Sequence, residues 1–253
     1  MTLAFRHRPV PPSPLARWDG RWKLAAVLLV VGGIATLNHA AAAAVAVLLG
    51  LAGAVVARLP IGWVLPRLAI VALATFPFVV VLPLTLDGPG WSLGPVHVSE
   101  RGLVAGMGVL CRALAIGCWA LVLVGTAPLP ATLAAAHRLK LPGRIVQVMV
   151  LTYRYAFLLA DEYRRLRIAM RTRGYRVGGN RHSYRALGHA TGALLVRSAD
   201  RAEIVAAAMR TRGFDGTFHT LSTFRTTAGD MIIFAAVVAA LIALLLWDRW
   251  VLA

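Results

Sequence analysis

Acidic side chains are scarce in this chain, ten against 27 lysines and arginines, and other absences narrow its chemistry further. Only two cysteines occur, Cys111 and Cys118, seven apart within one apolar run. Such thiols are expected as small core residues and argue against a disulfide scaffold or a thiolate metal site. The seven histidines (His7, His39, His97, His137, His182, His189 and His219) show no close ligand spacing. His182 and His189 are seven apart, but the first is expected in a loop, so no metal site is assigned. No Gly-x4-Gly-Lys-Ser/Thr stretch is present, which excludes ATP binding through that phosphate cradle. No carboxylate pair stands in an apolar run and no Ser-His-Asp arrangement emerges, so no catalytic residue is assigned. A secretory leader is not expected, because Pro9, Pro11, Pro12 and Pro14 precede the first apolar segment.

Apolar residues are abundant: 59% of the chain is hydrophobic although the formal charge is +17. That combination predicts an all-α polytopic membrane protein with a basic face toward anionic lipid or an acidic partner. Five transmembrane helices are expected, over Leu24–Leu37, Ala40–Ala57, Leu68–Leu86, Gly102–Thr126 and Met231–Trp247. The first is short, since a bilayer core of about 30 Å needs roughly 20 helical residues. Asn38-His39 is expected as the turn after it, and Pro77 and Pro83 are expected to kink the third span. Residues 87–100 carry no Lys or Arg and are expected as an external loop by the positive-inside rule. The lead-in with Arg6, Arg8, Arg17, Arg21 and Lys23 against Asp19 is then cytoplasmic. Arg112 lies inside the fourth span, where a guanidinium is costly, and is expected as an intramembrane tether to a neighbouring helix or as a snorkelling side chain.

The character changes between residues 128 and 228. Seventeen basic residues face five acidic ones there, a net +12, which predicts a cytoplasmic block. The expected division is 1–127, 128–228 and 229–253. Within the block two long helices are expected, Pro142–Arg173 and Tyr184–Arg212, separated by a loop over Gly174–His182. Gly188 and Gly192 fall four apart on one face of the second helix. Their cost in helix propensity, about 1 kcal/mol each, suggests a helix crossing at that point.

One phrase occurs twice. Ala169-Met170-Arg171-Thr172-Arg173-Gly174-Tyr175 recurs as Ala208-Met209-Arg210-Thr211-Arg212-Gly213-Phe214, and the same offset of 39 carries Asp161 onto Asp200. Leu166, Ala169, Met170 and Arg173 share one helix face, as do Val205, Ala208, Met209 and Arg212. The glycine after each is expected in a left-handed helix cap. A single arginine in a last turn serves the helix dipole; that does not account for the whole phrase written twice.

These paired tips resemble the two Ala-Arg-Gly signatures of the transmembrane T component of energy-coupling-factor transporters, most like its cobalt-transport branch. Thr172 and Thr211 stand where the usual motif has Ala. Asp19-Gly20-Arg21-Trp22-Lys23 resembles the Asp-Pro-Arg-x-Lys element before the first membrane helix of that family, with Gly20 in place of Pro. Thr126-Ala127-Pro128 and Leu139-Lys140-Leu141-Pro142 resemble its lead into the first long coupling helix. The resemblance implies a non-catalytic, multi-pass subunit of a bacterial cytoplasmic (inner) membrane, with its coupling helices in the cytoplasm. It implies two ATPase (A) subunits as partners, docked on Ala169, Met170, Arg173, Gly174, Ala208, Met209, Arg212 and Gly213, and a substrate-binding membrane (S) subunit. ATP and Mg would be carried by the ATPases, with no cofactor in this chain. Cobalt is the substrate implied, with nickel and vitamin importers sharing the architecture. Two readings of other classes stay open: a membrane enzyme acting on anionic lipid, and a membrane-anchored nucleic-acid binder. The first lacks acid-base residues. The second lacks interleaved aromatics and a basic stripe, so nucleic acid is not expected as a partner.

Overall fold

The first helix starts where the sequence supplies a cap: the Asp19 carboxylate accepts a hydrogen bond from the Arg21 N–H at 2.9 Å, satisfying one of the free donors of a helix start. The computed structural model describes residues 13, 15, 18–87, 89–93, 96–139, 142–176, 178–214 and 226–250. Arg6, His7, Arg8, Pro9, Pro11, Pro12, Pro14, Arg17, Lys140, Leu141 and His219, named above, lie outside them. The chain divides into two units, Met1–Leu139 with Ser222–Ala253, and Lys140–Leu221.

In the first unit the order is α1 (Gly20–Ala35), α2 (Ala40–Val56), α3 (Ile61–Thr85), β1 (Gly90–Leu93), β2 (Val96–Ser99), α4 (Glu100–Thr126), α5 (Leu129–Arg138) and, after the second unit, α8 (Ala228–Trp250). Three of these helices, α3, α4 and α8, are long and apolar enough to cross a bilayer, not the five expected. The reason is length. α1 and α2 have 16 and 17 residues, about 24–26 Å at 1.5 Å per residue, short of a core of about 30 Å. α3 continues through Pro66, Pro77 and Pro83. The stretch expected as an irregular loop contains an antiparallel hairpin, with Gly90 opposite Ser99 and Trp91 opposite Val98. Ser99 then caps α4 by accepting from the Gly102 N–H at 3.4 Å.

The main core joins Val30 and Ile34 of α1 to Ala42, Ala43 and Ala46 of α2, Ala115 of α4 and Leu244 of α8. Alanines at the contact let the short helices pack closely. α4 approaches α3 more closely still. A Cβ on Gly102 would stand 2.5 Å from the Leu82 carbonyl oxygen, and one on Gly106 would stand 2.9 Å from the Val79 Cα. The 128–228 block was expected to begin with α5, yet α5 packs in the first unit, with Ala135 and Ala136 against Leu24.

Two buried carboxylates fasten α8 at its ends. Asp248 accepts from the backbone N–H groups of Asn38 and His39, both at 3.0 Å, and lies 3.2 Å from His39 Nδ1. It caps α2 from another helix, because the N-cap residue His39 makes no side-chain cap of its own. Asp230 accepts from the Asp19 N–H at 3.3 Å and from the Thr227 N–H and hydroxyl, each at 2.8 Å. The Trp18 indole donates to the Asp230 carbonyl at 3.2 Å.

The second unit contains α6 (Gly143–Thr172) and α7 (Arg181–Thr211). α7 starts three residues before the expected Tyr184, because Asn180 Oδ1 accepts from the Ser183 N–H at 2.9 Å. His182 is therefore helical. Among the described residues no group of three or more His, Cys, Asp or Glu side chains could hold a metal ion.

Candidate functional site

The duplicated phrase folds into duplicated geometry. α6 ends with Met170, Arg171 and Thr172 as its last three residues, Arg173 as C-cap and Gly174 at φ +81°. α7 ends with Met209, Arg210 and Thr211, Arg212 as C-cap and Gly213 at φ +75°. At the first tip the Gly174 N–H donates to the Arg171 carbonyl and the Tyr175 N–H to the Met170 carbonyl, both at 3.0 Å. At the second, the Gly213 N–H donates to the Arg210 carbonyl at 3.0 Å and the Phe214 N–H to the Met209 carbonyl at 3.1 Å. This crossed pair of bonds is the Schellman end, and it needs a left-handed residue where each glycine stands. The threonines match too: Thr172 donates to the Ala169 carbonyl at 2.9 Å and Thr211 to the Ala208 carbonyl at 3.0 Å. A Thr in place of Ala thus ties its hydroxyl back into the helix and keeps the tip small.

Both tips present exposed cations. Arg171, Arg173, Arg210 and Arg212 are all exposed, while Met170 and Met209 are half-buried. An exposed fork of N–H donors beside a flexible thioether suits a carboxylate- or carbonyl-lined groove on another protein. The surroundings of the tips differ. After the first, Tyr175 donates through its hydroxyl to the Ser183 carbonyl at 3.3 Å, and the buried Ser183 hydroxyl accepts from the Gly178 N–H at 3.2 Å and donates to the Arg176 carbonyl at 3.3 Å. After the second, residues 215–225 lie outside the described ones.

Among the described residues no second helix lies against Gly188 or Gly192. A Cβ at either meets nothing within 4 Å. α6 and α7 are joined instead at Glu162, whose carboxylate takes Arg197 Nη1 at 3.2 Å and Arg201 Nη2 at 3.7 Å. Arg197 and Arg201 sit one turn apart on α7, so one carboxylate reaches both. The close helix approach that a Gly-x3-Gly spacing signals occurs at Gly102 and Gly106 instead. Arg112 is half-buried and donates from Nε to the Gly108 carbonyl of its own helix at 3.1 Å. The side chain is thus folded back one turn along its own helix.

Sequence reasoning missed how completely Asp19-Gly20-Arg21-Trp22-Lys23 is used. Arg21 pairs with Asp19 at 2.9 Å and donates to the Thr226 hydroxyl at 3.0 Å. Trp22 meets Phe234 edge-on at 5.0 Å. Lys23 donates to the Thr126 carbonyl at 3.4 Å, one of the unpaired carbonyls at the end of α4, where a cation complements the helix dipole. The five-residue element therefore holds α1 to α4 and α8. Its signals in the sequence were the resemblance to the Asp-Pro-Arg-x-Lys element and the alternation of charge at positions 19, 21 and 23.

Residues 11–223 match the family described as cobalt transport protein. The chain is 28% identical over 142 residues to an uncharacterized protein of Methanocaldococcus jannaschii, covering 56% of this chain and 53% of that one. It is 28% identical over 181 residues to the cobalt transport protein CbiQ of Rhodobacter capsulatus, covering 71% and 66%. A second uncharacterized protein of Methanocaldococcus jannaschii is 24% identical over 159 residues, covering 62% and 54%. The matched part thus spans between 53% and 66% of these relatives' lengths. With three bilayer-length apolar helices and a family match that runs through both helix tips, this chain belongs to the cobalt transport protein family.

Proposed function

We propose that the chain is the non-catalytic transmembrane coupling subunit of an energy-coupling-factor importer for cobalt ions, set in the cytoplasmic membrane. It would join two ATPase subunits, which carry ATP and Mg, to a membrane subunit that binds the substrate. The observation behind this reading is the double tip: one helix end built twice, with the same crossed hydrogen bonds and an exposed arginine at the same cap position. One tip would serve one partner. Two alike suit a two-fold ATPase pair that presents one groove twice. The cobalt assignment rests on the family and on the relative named for cobalt transport.

The test is purification of the assembled transporter with Arg173→Ala, Arg212→Ala, the double variant, and Arg171→Ala/Arg210→Ala. Each single change removes a charge-assisted hydrogen bond, worth about 1.5–3 kcal/mol where one forms, and lowers retained ATPase while the other tip stays docked. The double variant releases the ATPases or uncouples hydrolysis from uptake, and the Arg171/Arg210 pair has the smaller effect. A double variant that assembles and transports like the wild type defeats the docking role. Uptake of radiolabelled cobalt and nickel by the reconstituted complex tests the substrate; a vitamin carried in place of either metal defeats that part alone.

A further inference from the structure

The second unit has little apolar interior to hold its two tips in place. Among the described residues, α6 and α7 bury only Val146 and Ser183. Hydrogen bonds have to do what a core does elsewhere, and they gather at one residue. Ser183 is 5% exposed and lies in the first turn of α7. Its hydroxyl accepts from the Gly178 N–H at 3.2 Å and donates to the Arg176 carbonyl at 3.3 Å. Its carbonyl accepts from the Tyr175 hydroxyl at 3.3 Å, and its own N–H donates to Asn180 Oδ1 at 2.9 Å. The segment that leaves the first tip is thus tied to the start of α7 at positions 175, 176, 178 and 180. The Glu162 link is weaker by comparison. Its arginine side chains are 56% and 42% exposed, and pairs of that kind contribute little, whereas a buried polar group stripped of its partners is costly.

The first tip does not need Ser183 for its shape. Its crossed bonds join Arg171 to Gly174 and Met170 to Tyr175, so the cap is local and only its bearing is left to the serine. The second tip needs no such joint, because Arg212 caps α7 itself. Phe214, in the position of Tyr175, has no hydroxyl to offer. Both capping arginines are therefore carried by one helix, at its two ends. α7 has 31 residues, about 46 Å at 1.5 Å per residue.

We infer that α7 is the strut that sets the distance between the two docking points, and that Ser183 is the positioning residue that holds the first tip to it. This rests on the docking role of the tips and adds a property of the partner. The ATPase pair has to present its two equivalent grooves about 46 Å apart, the length of the strut. Grooves at that spacing take both tips without bending α7, and the second contact then forms at a high effective concentration. A chain whose first tip swings, or whose tips stand at another spacing, keeps one contact and loses the gain from the second.

Two measurements test this. In the full chain with Cys111 and Cys118 replaced by Ala, nitroxide labels are placed at Arg171→Cys and Arg210→Cys, both exposed positions. Double electron–electron resonance should give one narrow population centred at about 45 Å. Ser183→Ala should broaden it, and Tyr175→Phe, which removes one bond to Ser183, should broaden it less. A broad distribution without either change overturns the strut, and a narrow one in Ser183→Ala overturns the joint. For docking, the ATPase subunits are separated from the purified transporter and titrated back. Ser183→Ala should lower their apparent affinity at least about tenfold where both tips are intact. It should leave the affinity of an Arg212→Ala chain unchanged, since one tip docking alone has no bearing to lose. A loss in both chains marks general damage to the unit and overturns the positioning role. Inserting Ala-Glu-Ala-Ala-Lys-Ala-Ala between Ala206 and Ala207, both exposed, lengthens α7 by about 10 Å and leaves the tip within about 20° of its facing. Affinity should fall to that of Arg212→Ala, and an inserted chain that binds like the wild type overturns the spacing. If Arg173→Ala/Arg212→Ala binds like the wild type as well, the docking role has failed, and the label distance still decides the strut.

Discussion

Among the described residues three helix ends use the same crossed bonds, and they differ in the residue placed at the left-handed position. Gly174 and Gly213 occupy it at two of them, at φ +81° and +75°. Arg58 occupies it after α2, at φ +51°, with its own N–H donating to the Val55 carbonyl at 2.8 Å and the Leu59 N–H to the Ala54 carbonyl at 3.1 Å. A side chain in that region costs roughly 1–2 kcal/mol. Gly174→Ala and Gly213→Ala should therefore each destabilise their helix end by about that amount, and equally, since nothing lies within 4 Å of a Cβ at either. Arg58→Gly should gain about 0.5–1 kcal/mol by relieving the same strain. Thermal unfolding of the purified chain checks both signs. The glycine caps were legible from Gly after a helical pattern. Arg58 was not, because nothing local marks an arginine for that conformation.

At the scale of elements, glycine spacing was a good signal applied to the wrong pair. Gly188 and Gly192 look like Gly102 and Gly106 in sequence, two glycines four apart in a helix, yet only the second pair lies against a neighbouring backbone. A periodic pattern identifies a face and not what covers it. Leu at Gly106 or Gly102 should drive α3 and α4 apart and abolish monodisperse folded protein. Leu at both Gly188 and Gly192 should leave folding intact and strengthen the helix, by about 1 kcal/mol per glycine removed. Size-exclusion profiles with thermal melts separate the cases: folding failure of the Gly188/Gly192 variant would place a neighbour there. If that variant folds normally but transports poorly, the face meets another subunit. The Glu162 link shows the same limit. Nothing local marks Glu162 for it, because the arginines it reaches lie 35 and 39 residues away, on the next helix.

For the whole molecule, we propose from the asymmetry of lysine and arginine that 87–100 lies outside and the second unit inside. With Cys111 and Cys118 replaced by Ala, a cysteine at Asp87 should react with an impermeant maleimide from outside intact cells, and one at Gly179 only after permeabilisation. Both positions are exposed, and a side chain at Gly179 meets nothing within 4 Å. Labelling of Gly179→Cys in intact cells would reverse the orientation and remove the basis for cytoplasmic docking. The same charge count that makes this prediction did not mark the edge of the second unit, since α5 carries the start of the basic block and packs with the first unit.

The sequence by itself determined the class of protein, because a chain 59% hydrophobic and strongly basic has to place its apolar runs in lipid as helices that satisfy their own backbone. It also determined the two tips, because a helix end is made by residues within six positions of each other. Tertiary structure decided what depends on distant partners. It decided that Asp248 caps α2, that Asp230 receives the N-terminal element, and that α3 and α4 meet at Gly102 and Gly106. Each of these is a contact between residues far apart in the chain, and a local pattern can make a side chain available for such a contact without naming the atom it will meet.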